Sequence, residues 1–350
     1  MTDLQLSFAA ALNERTAALF DGTVRPEGIE LIGTRSDPSE TFWRQLRFQE
    51  FAVTEMSLSS YLIAKNRGMD MIAIPVFPSR RFPYTQLYTH VAAGIEAPAD
   101  LVGKRIGVGE YQQTAAVWTR ATLEHDFGVS QYDVHWYMER AESLSHGGAT
   151  GFVPPDRISF QRIPEEKSLA SMLLANEIDA APLHRALGTA TNVIDRSTRN
   201  RGDGDLARVR PLFADPIAEG ARFYREHGYV PASHCVIVRG DVHRQHPWVA
   251  FNLYTAFVRA KELARSRLAE SIPTALVFGR EYLKRTRELL GDDPFPYGVT
   301  RNTKMLEDLI NHSVEQGLTP RKAAVEDLFA PSTLDPVSYT HLTLPTIYSV

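Results

Sequence analysis

Short apolar segments alternate with amphipathic segments along most of the chain. Residues 4–9, 51–54 and 71–77 are runs of strand length, and the last is apolar almost throughout, which is typical of a parallel strand buried on both faces. The tripeptide Ser-Asp-Pro at 36–38 supplies an N-cap residue and an early proline, which predict a helix start. Strands and helices at this spacing predict an α/β protein with mostly parallel sheets and helices on both faces.

The best-organised stretch of the pattern is residues 103–119. Residues 104–109 alternate as a buried strand does, a short turn follows, and an amphipathic helix opens at Thr114. Unpaired N–H groups and the dipole at such a helix start attract a carboxylate or phosphate. Gln112, Gln113 and Thr114 are therefore predicted to form one wall of an anion-binding cleft. An ordinary strand–helix unit without a ligand is the alternative.

Two crossings between domains are predicted, near residues 94–98 and 228–233. The predicted units are a discontinuous first domain, residues 1–95 and 232–333, and an inserted second domain, residues 96–231. Ligands should then bind in a cleft between the two lobes, at the carboxyl ends of the strands. Residues 334–350 carry no helical or alternating pattern and look non-native, so they are left out of the functional argument.

Composition narrows the class of protein and its compartment. A net charge of −4 disfavours a nucleic-acid surface, and no apolar run reaches the roughly 18 residues that a membrane span needs. Cys235 is the single cysteine, which excludes an intrachain disulfide and a cysteine metal cluster. The N-terminus lacks a basic region before its apolar stretch and reads as a poor signal peptide. We expect a cytoplasmic protein without nucleic-acid or membrane partners, and a homo-oligomer is left open.

Arginines that follow strand ends are the candidate anion ligands. Arg80 and Arg81 come after a buried strand and can offer forked donors to a carboxylate. A solvated surface pair, or one arginine bridging the domains, is the alternative. Arg15, after the first strand, supports the same argument more weakly.

The candidate acid–base groups are His234 and Glu55. His234 opens the strand that returns to the first domain, and an imidazole titrates near neutral pH. It could transfer a proton or be a core histidine bonded to a carbonyl. Glu55 ends an apolar strand before a helix, so it is either a partly buried acid or a carboxylate at a helix N-terminus. Tyr297 could line the cleft, although pinning a loop is favoured, and His184 could face the cleft from the second domain. No metal site is predicted.

Five stretches together resemble the 4,5-dihydroxyphthalate decarboxylase family. They are FAVTEMSLSSYL at 51–62, IPVFPSRR at 74–81, LVGKRIGVGEYQQTAAVWT at 101–119, HCVIVRGDVHRQHPWVAFNL at 234–253 and DPFPYGVTRNTKMLEDLINHSVEQGLT at 293–319. The resemblance covers nearly all of residues 4–333. It implies a two-lobed fold like that of type 2 periplasmic binding proteins. It also implies loss of CO2 from 4,5-dihydroxyphthalate to give protocatechuate.

The sequence departs from the family pattern at two places near the expected cleft. Val-Pro-Ala-Ser-His stands at 230–234 where the family has a pattern more like Phe-Pro-Ile-Met-His. Phe-Pro-Tyr stands at 82–84 where the family tends to Phe-Arg-His. Tyr84 is therefore a candidate substrate-binding residue, and the substrate could differ from that of the family even if the chemistry does not.

The expected reaction requires no cofactor. A hydroxyl para to a ring carboxylate supplies electrons, and the ring carbon takes a proton as CO2 leaves. The site must then hold carboxylates with cations or dipoles and deliver one proton. The competing function is a solute-binding protein of an ABC transporter for a small carboxylate, because one fold serves many functions.

Overall fold

The computed structural model describes residues 3–183, 194–198, 200, 205–270, 272 and 276–334. The strands of these residues are β1 (Leu4–Ala10), β2 (Ile29–Arg35), β3 (Val53–Ser57), β4 (Met71–Ile74), β5 (Leu87–His90), β6 (Arg105–Val108), β7 (His135–Met138), β8 (Phe160–Arg162), β9 (Ala180–Pro182), β10 (Val209–Pro211) and β11 (His234–Arg239). The α-helices are α1 (Ala17–Phe20), α2 (Pro38–Phe48), α3 (Leu58–Asn66), α4 (Thr114–Phe127), α5 (His146–Thr150), α6 (Leu169–Leu174), α7 (Pro216–His227), α8 (Gly240–Gln245), α9 (Trp248–Glu270), α10 (Gly279–Leu290) and α11 (Thr303–Glu315).

The strands form two separate sheets. The first has the order β2-β1-β3-β11-β4 and the second has the order β10-β5-β9-β6-β7-β8. In the first sheet β1 runs parallel to β2 and β3, whereas β11 runs antiparallel to β3 and β4. In the second, β9, β6, β7 and β8 lie side by side in that order and run parallel. β5 pairs antiparallel with β9 and β10. Parallel strands joined by helices predominate, as the alternating pattern predicted.

The chain changes sheet twice. It passes from the first sheet to the second between β4 and β5, and it returns between β10 and β11. The return agrees with the crossing predicted near 228–233. The first crossing lies earlier than the predicted 94–98, because β5 bonds to β9 and β10 although the boundary at residue 95 assigned it to the first domain. An apolar run of strand length does not reveal which distant strands it will pair with.

Local sequence sets the ends and the buried faces of the helices. Asp37 caps α2 by accepting a hydrogen bond from the Ser39 N–H at 2.8 Å, with Pro38 in the first turn. Gly128 ends α4 in the left-handed conformation, with φ of 70°. One side of α9 is fully buried, since Val249, Leu253, Ala256 and Ala260 are each at most 1% exposed.

Both sheets contribute to the core. Phe8, Val236 and Phe257 pack where α9 covers the first sheet, and Ile106 and Trp136 belong to a cluster that extends across both sheets. None of the described helices has both the length and the apolar character needed to cross a lipid bilayer.

Candidate active site

A cavity of about 180 Å³ lies where the carboxyl ends of several parallel strands meet. It is lined by Pro38, Ser39, Phe42, Ser57, Ser79, Arg81, Gln113, Thr114, Ala115, Arg140, His146, Ser233 and His234. These residues lie in strand ends, loops and helix starts at the edges of both sheets, and in both segments that cross between the sheets. The position agrees with the rule that α/β proteins bind ligands beyond the carboxyl ends of their strands.

The register of β3 against β11 brings Glu55 to His234. Val236 pairs with Glu55 and His234 pairs with Ser57, so all four side chains lie on one face of the sheet. His234 Nδ1 is 2.6 Å from Glu55 Oε1, and the other carboxylate oxygen accepts the Ala11 N–H at 2.9 Å. Phe42 packs edge-on against the imidazole with a centroid distance of 4.8 Å. The imidazole is therefore held from two sides at the cavity wall.

Four helices begin at the cavity. Pro38 and Ser39 open α2, Ser57 is the N-cap of α3, Thr114 opens α4, and His146 opens α5. The positive ends of their dipoles therefore meet around one space. Several such ends together favour a ligand with more than one negative group.

The starts of α3 and α4 are joined by hydroxyl groups. Thr114 Oγ1 lies 2.8 Å from Ser57 Oγ and accepts the Ser59 N–H at 3.0 Å. Within the described residues, the Gln113 side chain makes no capping hydrogen bond at the start of α4. The first N–H groups of α4 consequently remain as donors for an anion.

A buried charged cluster forms the wall contributed by the second sheet. Arg140 Nε donates to Asp195 Oδ1 at 2.8 Å, and Arg140 Nη2 donates to Ser39 Oγ at 2.8 Å. Ser39 Oγ donates in turn to Asp195 Oδ2 at 2.9 Å, and Arg140 Nη1 is 3.4 Å from Glu110 Oε2. Arg140 is 1% exposed, so this cation is desolvated and held in place by two acids.

His146 is a neutral member of the same cluster. Its Nε2 donates to the Ser39 carbonyl at 2.8 Å, which leaves Nδ1 to accept from Arg140 Nη1 at 3.2 Å. Burial, followed by the nearby Arg140 charge, lowers the pKa of His146 to about 4. At neutral pH this imidazole is a polar wall of the cavity and carries no charge.

The adjacent arginines Arg80 and Arg81 have different surroundings. Arg81 lines the cavity. The Arg80 guanidinium instead donates to the carbonyls of Val230 at 2.8 Å and Pro296 at 2.9 Å, and it also bonds Asn302 Oδ1. Burial lowers its pKa to about 9. The prediction that Arg80 binds substrate is therefore corrected to a structural role, because its two Nη groups bond two main-chain carbonyls and the Asn302 side chain.

Two other residues predicted to bind substrate contact protein groups instead. Tyr84 is buried among Phe213 and Phe223, and its hydroxyl donates to Glu219 Oε1 at 2.8 Å. The Gln112 side chain donates to Glu110 Oε2 at 2.5 Å and does not line the cavity. The predicted substrate-binding role of both residues is thus corrected. Tyr84 belongs to an aromatic cluster, and Gln112 supports the Glu110–Arg140 pair.

The remaining predicted residues lie near or beyond the edge of the site. Arg15 donates to the Pro78 carbonyl at 2.9 Å and stacks on Phe295 at 4.1 Å, next to Ser79 in the cavity wall. Tyr297 is 5% exposed, with the Lys261 ammonium 4.9 Å from its ring centroid, and it is not among the residues that line the cavity. His184 falls outside the described residues.

Arg140, His146 and Ser39 were not predicted from the sequence. Arg140 is the second residue after β7, so the rule about carboxyl ends of strands could have singled it out. His146 opens a five-residue helix inside a stretch rich in glycine, serine and proline, where the residue pattern gives no signal. Ser39 looks like an ordinary first-turn residue until Arg140 is placed beside it.

A larger cavity, of about 390 Å³, lies elsewhere, between α3, α11 and the segment 319–328. It combines apolar side chains such as Leu62 and Ile310 with Lys65 and Lys322. It contains none of the acid–base groups described above, so size alone does not mark the active site. The smaller cavity carries the chemistry.

No protein-family model matches the chain. A 4,5-dihydroxyphthalate decarboxylase of Comamonas testosteroni is 34% identical over 338 residues, covering 96% of this chain and 99% of that protein. The chain belongs to the 4,5-dihydroxyphthalate decarboxylase family. A decarboxylase of the same name from Pseudomonas putida is 36% identical over 236 residues, covering 67% of this chain and 87% of that protein. The predictions of this family and of a carboxy-lyase are confirmed.

Solved structures show the fold of this decarboxylase. The alkanesulfonate-binding protein of Xanthomonas axonopodis pv. citri, bound to MOPS, has a TM-score of 0.52 at 13% identity, covering 95% of this chain and 98% of that chain. The periplasmic aliphatic sulphonate binding protein of Escherichia coli has a TM-score of 0.51 at 12% identity, covering 94% of this chain and 92% of that chain. The predicted periplasmic-binding-protein-like fold is confirmed.

Proposed function

We propose that this carboxy-lyase converts 4,5-dihydroxyphthalate to protocatechuate and CO2, without a cofactor, in the cavity beside His234. The observation that carries the proposal is the His234–Glu55 pair at a cavity surrounded by helix N-termini and lined by Arg81 and Arg140. The pair offers proton transfer, and the surrounding positive groups suit a dicarboxylate. The 4,5-dihydroxyphthalate decarboxylases of Comamonas testosteroni and Pseudomonas putida carry that substrate in their names.

The two carboxylates of the substrate can be held differently. We assign one to the first N–H groups of α4 and the Arg81 side chain, and the other to the opposite side of the cavity, near the buried Arg140 charge. Because the N–H groups of Arg140 already bond Asp195, Glu110, His146 and Ser39, Arg140 acts on the substrate through its charge and not through a direct hydrogen bond. Both carboxylates then lie within the cavity, close to the fixed dipoles of the helix starts.

His234 is assigned the proton transfer. In its protonated form Nδ1–H bonds Glu55, whose carboxylate balances the imidazolium charge, and Nε2–H is the proton to be donated. That proton goes to the ring carbon that bears the departing carboxylate, with electrons supplied by the para hydroxyl. The carbon–carbon bond then breaks, its electron pair restores the aromatic ring, and CO2 leaves. One proton is consumed, and solvent returns it to His234.

The direct test is turnover by the purified protein. Incubation with 4,5-dihydroxyphthalate should release CO2 and a monocarboxylic product that co-elutes with protocatechuate, while phthalate, which lacks the hydroxyls, should remain unchanged. Tight binding of 4,5-dihydroxyphthalate without turnover would instead favour a solute-binding function. Turnover of a different hydroxylated aromatic acid would keep the chemistry and change the substrate.

Substitution of His234 tests the assigned role. His234→Ala should lower kcat by about 100-fold or more, because general acid catalysis contributes that much, while circular dichroism stays unchanged. Glu55→Gln keeps the shape and a hydrogen-bonding oxygen but removes the charge, so we expect a smaller fall in kcat than in His234→Ala. Full activity of folded His234→Ala would remove the residue from the mechanism.

The cytoplasmic location remains part of the proposal. It is supported by the single cysteine, Cys235, because proteins of oxidising compartments more often carry disulfides. Fractionation of cells that produce the full natural gene product should recover the protein with cytoplasmic markers. Recovery with periplasmic markers would favour the transporter function.

A further inference from the structure

A cluster of two histidines and one glutamate lies on the outside of the molecule, away from the cavity. His125 is in the last turn of α4, and His312 and Glu315 are in the last turn of α11. His125 Nε2 is 3.0 Å from Glu315 Oε2, and His312 Nδ1 is 3.1 Å from the same oxygen. Each residue offers one ligand atom within 4.8 Å of the other two. We propose that these three side chains bind a divalent transition-metal ion, with Zn²⁺ as the best match.

The spacing of the ligand atoms fits a zinc ion. Around a tetrahedral zinc with bonds of about 2.0 Å, ligand atoms lie about 3.3 Å apart. The distances from Glu315 Oε2 to His125 Nε2 and to His312 Nδ1 are a few tenths of an ångström shorter than this. Small side-chain rotations would bring them to the spacing of zinc ligands. Two imidazoles and a carboxylate form a common zinc ligand set, and they leave the fourth position for water.

The three side chains are exposed enough for an ion to reach them, and packing still holds one of them in position. The side chains of His125 and Glu315 are about half exposed, at 48% and 49%. His312 is held against Trp118, with ring centroids 5.6 Å apart.

The backbone charge at this point also favours a cation. Both α4 and α11 end here, and the carbonyl ends of helices carry partial negative charge. Within the described part of the chain, the ion pairs of Glu315 are with the two histidines, so no lysine or arginine there competes for it.

A neighbouring cluster shows the contrast. Asp126, Glu226 and His227 also lie within metal-ligand distance of one another. There, however, Arg222 bonds Asp126 at 2.7 Å and also bonds Glu226. A guanidinium already occupies the place of a cation, so this second cluster is a structural ion-pair network.

The proposed metal site is separate from the active site. Thr114 at the cavity and His125 are eleven residues apart on α4, which corresponds to about 16 Å along the helix. No local sequence pattern indicates the site, because 190 residues separate His125 from Glu315. The inference therefore does not rest on the proposed substrate, and its failure would leave that proposal intact.

Metal titration of the chelator-treated full chain tests the inference. We expect one Zn²⁺ per chain by calorimetry and a higher Tm in its presence. His125→Ala and Glu315→Gln should each weaken Zn²⁺ binding by at least tenfold, because each removes a direct ligand. Both positions are exposed, so the variants should fold. His135→Ala, at an exposed histidine that contacts Ser159, is the matched control and should bind as the parent does.

A spectroscopic readout locates the ion. Cu²⁺ bound by His312 should quench Trp118 fluorescence, and the quenching should disappear in His125→Ala together with tight binding. Turnover of 4,5-dihydroxyphthalate should be the same in His125→Ala and in the parent. Equal Zn²⁺ affinity in parent, His125→Ala and Glu315→Gln would overturn the proposal. So would the lack of saturable binding below about 1 mM Zn²⁺.

Discussion

Two neighbouring arginines illustrate how much depends on the environment of a single residue. In the sequence Arg80 and Arg81 are equivalent candidates for a carboxylate. In the structure the Arg80 guanidinium bonds three oxygens from the segments 230–232 and 296–302, whereas Arg81 lines the cavity. Arg80 is therefore expected to contribute to stability, and Arg81 to substrate binding.

Substitution of the pair should separate these roles. Arg80→Met should lower the free energy of unfolding by about 3 kcal/mol, because it leaves buried oxygens without donors. Arg81→Met should raise KM by about 10- to 100-fold through the loss of a charge-assisted hydrogen bond to the substrate. Urea unfolding and steady-state kinetics of both variants would check this. The opposite assignment of the two effects would reject our interpretation of the site.

At the scale of elements, the junction of α3 and α4 determines the shape of the anion site. The predicted wall of Gln113 and Thr114 does line the cavity, but what holds it in place is a hydroxyl contact to Ser57 and Ser59 from another part of the chain. The two helix starts are thereby fixed relative to each other. The sequence indicated each helix start separately and gave no indication that they meet.

Thr114→Val keeps the shape of this side chain and removes its hydrogen bonds. We expect a loss of about 1–2 kcal/mol in the free energy of unfolding, because the buried Ser59 N–H loses its acceptor. KM for the dicarboxylate should also rise, since the start of α4 is no longer held. Thr114→Ser, which retains the hydroxyl, is the control for both measurements. Identical behaviour of the valine and serine variants would show that the hydroxyl contact is unimportant.

At the scale of the whole molecule, the two sheets meet through polar contacts around the cavity. Ser39, next to the first sheet, bonds Arg140 and Asp195, next to the second. Trp118 Nε1 donates to the Ala232 carbonyl at 2.9 Å, which ties α4 to the segment that leads into His234. Stability and active-site geometry are therefore coupled through the same contacts.

The buried Glu139 next to this cluster predicts a pH dependence. Burial first, and then the nearby Asp195 charge, raise the pKa of Glu139 to about 7, while Ser197 donates to its carboxylate. A raised pKa means that the folded state binds more protons than the unfolded state. The contribution of Glu139 to stability is therefore present at low pH and is lost as the pH rises from about 4.5 to about 7.

Glu139→Gln keeps an acceptor oxygen and removes the titration. Relative to the parent, this variant should gain about 2–3 kcal/mol in unfolding free energy between pH 5 and pH 8. Urea unfolding at several pH values measures the difference. Glu142→Gln, at a side chain that is 80% exposed, should show no such trend. A pH-independent difference between Glu139→Gln and the parent would contradict the assignment.

The sequence by itself determined the α/β class, the family and the helix starts. It also singled out His234 and Glu55 as candidate acid–base groups and Thr114 as a candidate anion ligand. These follow from local periodicity, capping residues and motifs, which act over a few neighbouring residues. Only the tertiary structure decided that Glu55 bonds His234, that Arg80 is buried, that β5 joins the second sheet, and that Arg140 and His146 complete the cavity wall. Strand register, burial and ion pairing join residues that are far apart in the chain, and no local pattern encodes which partners they find.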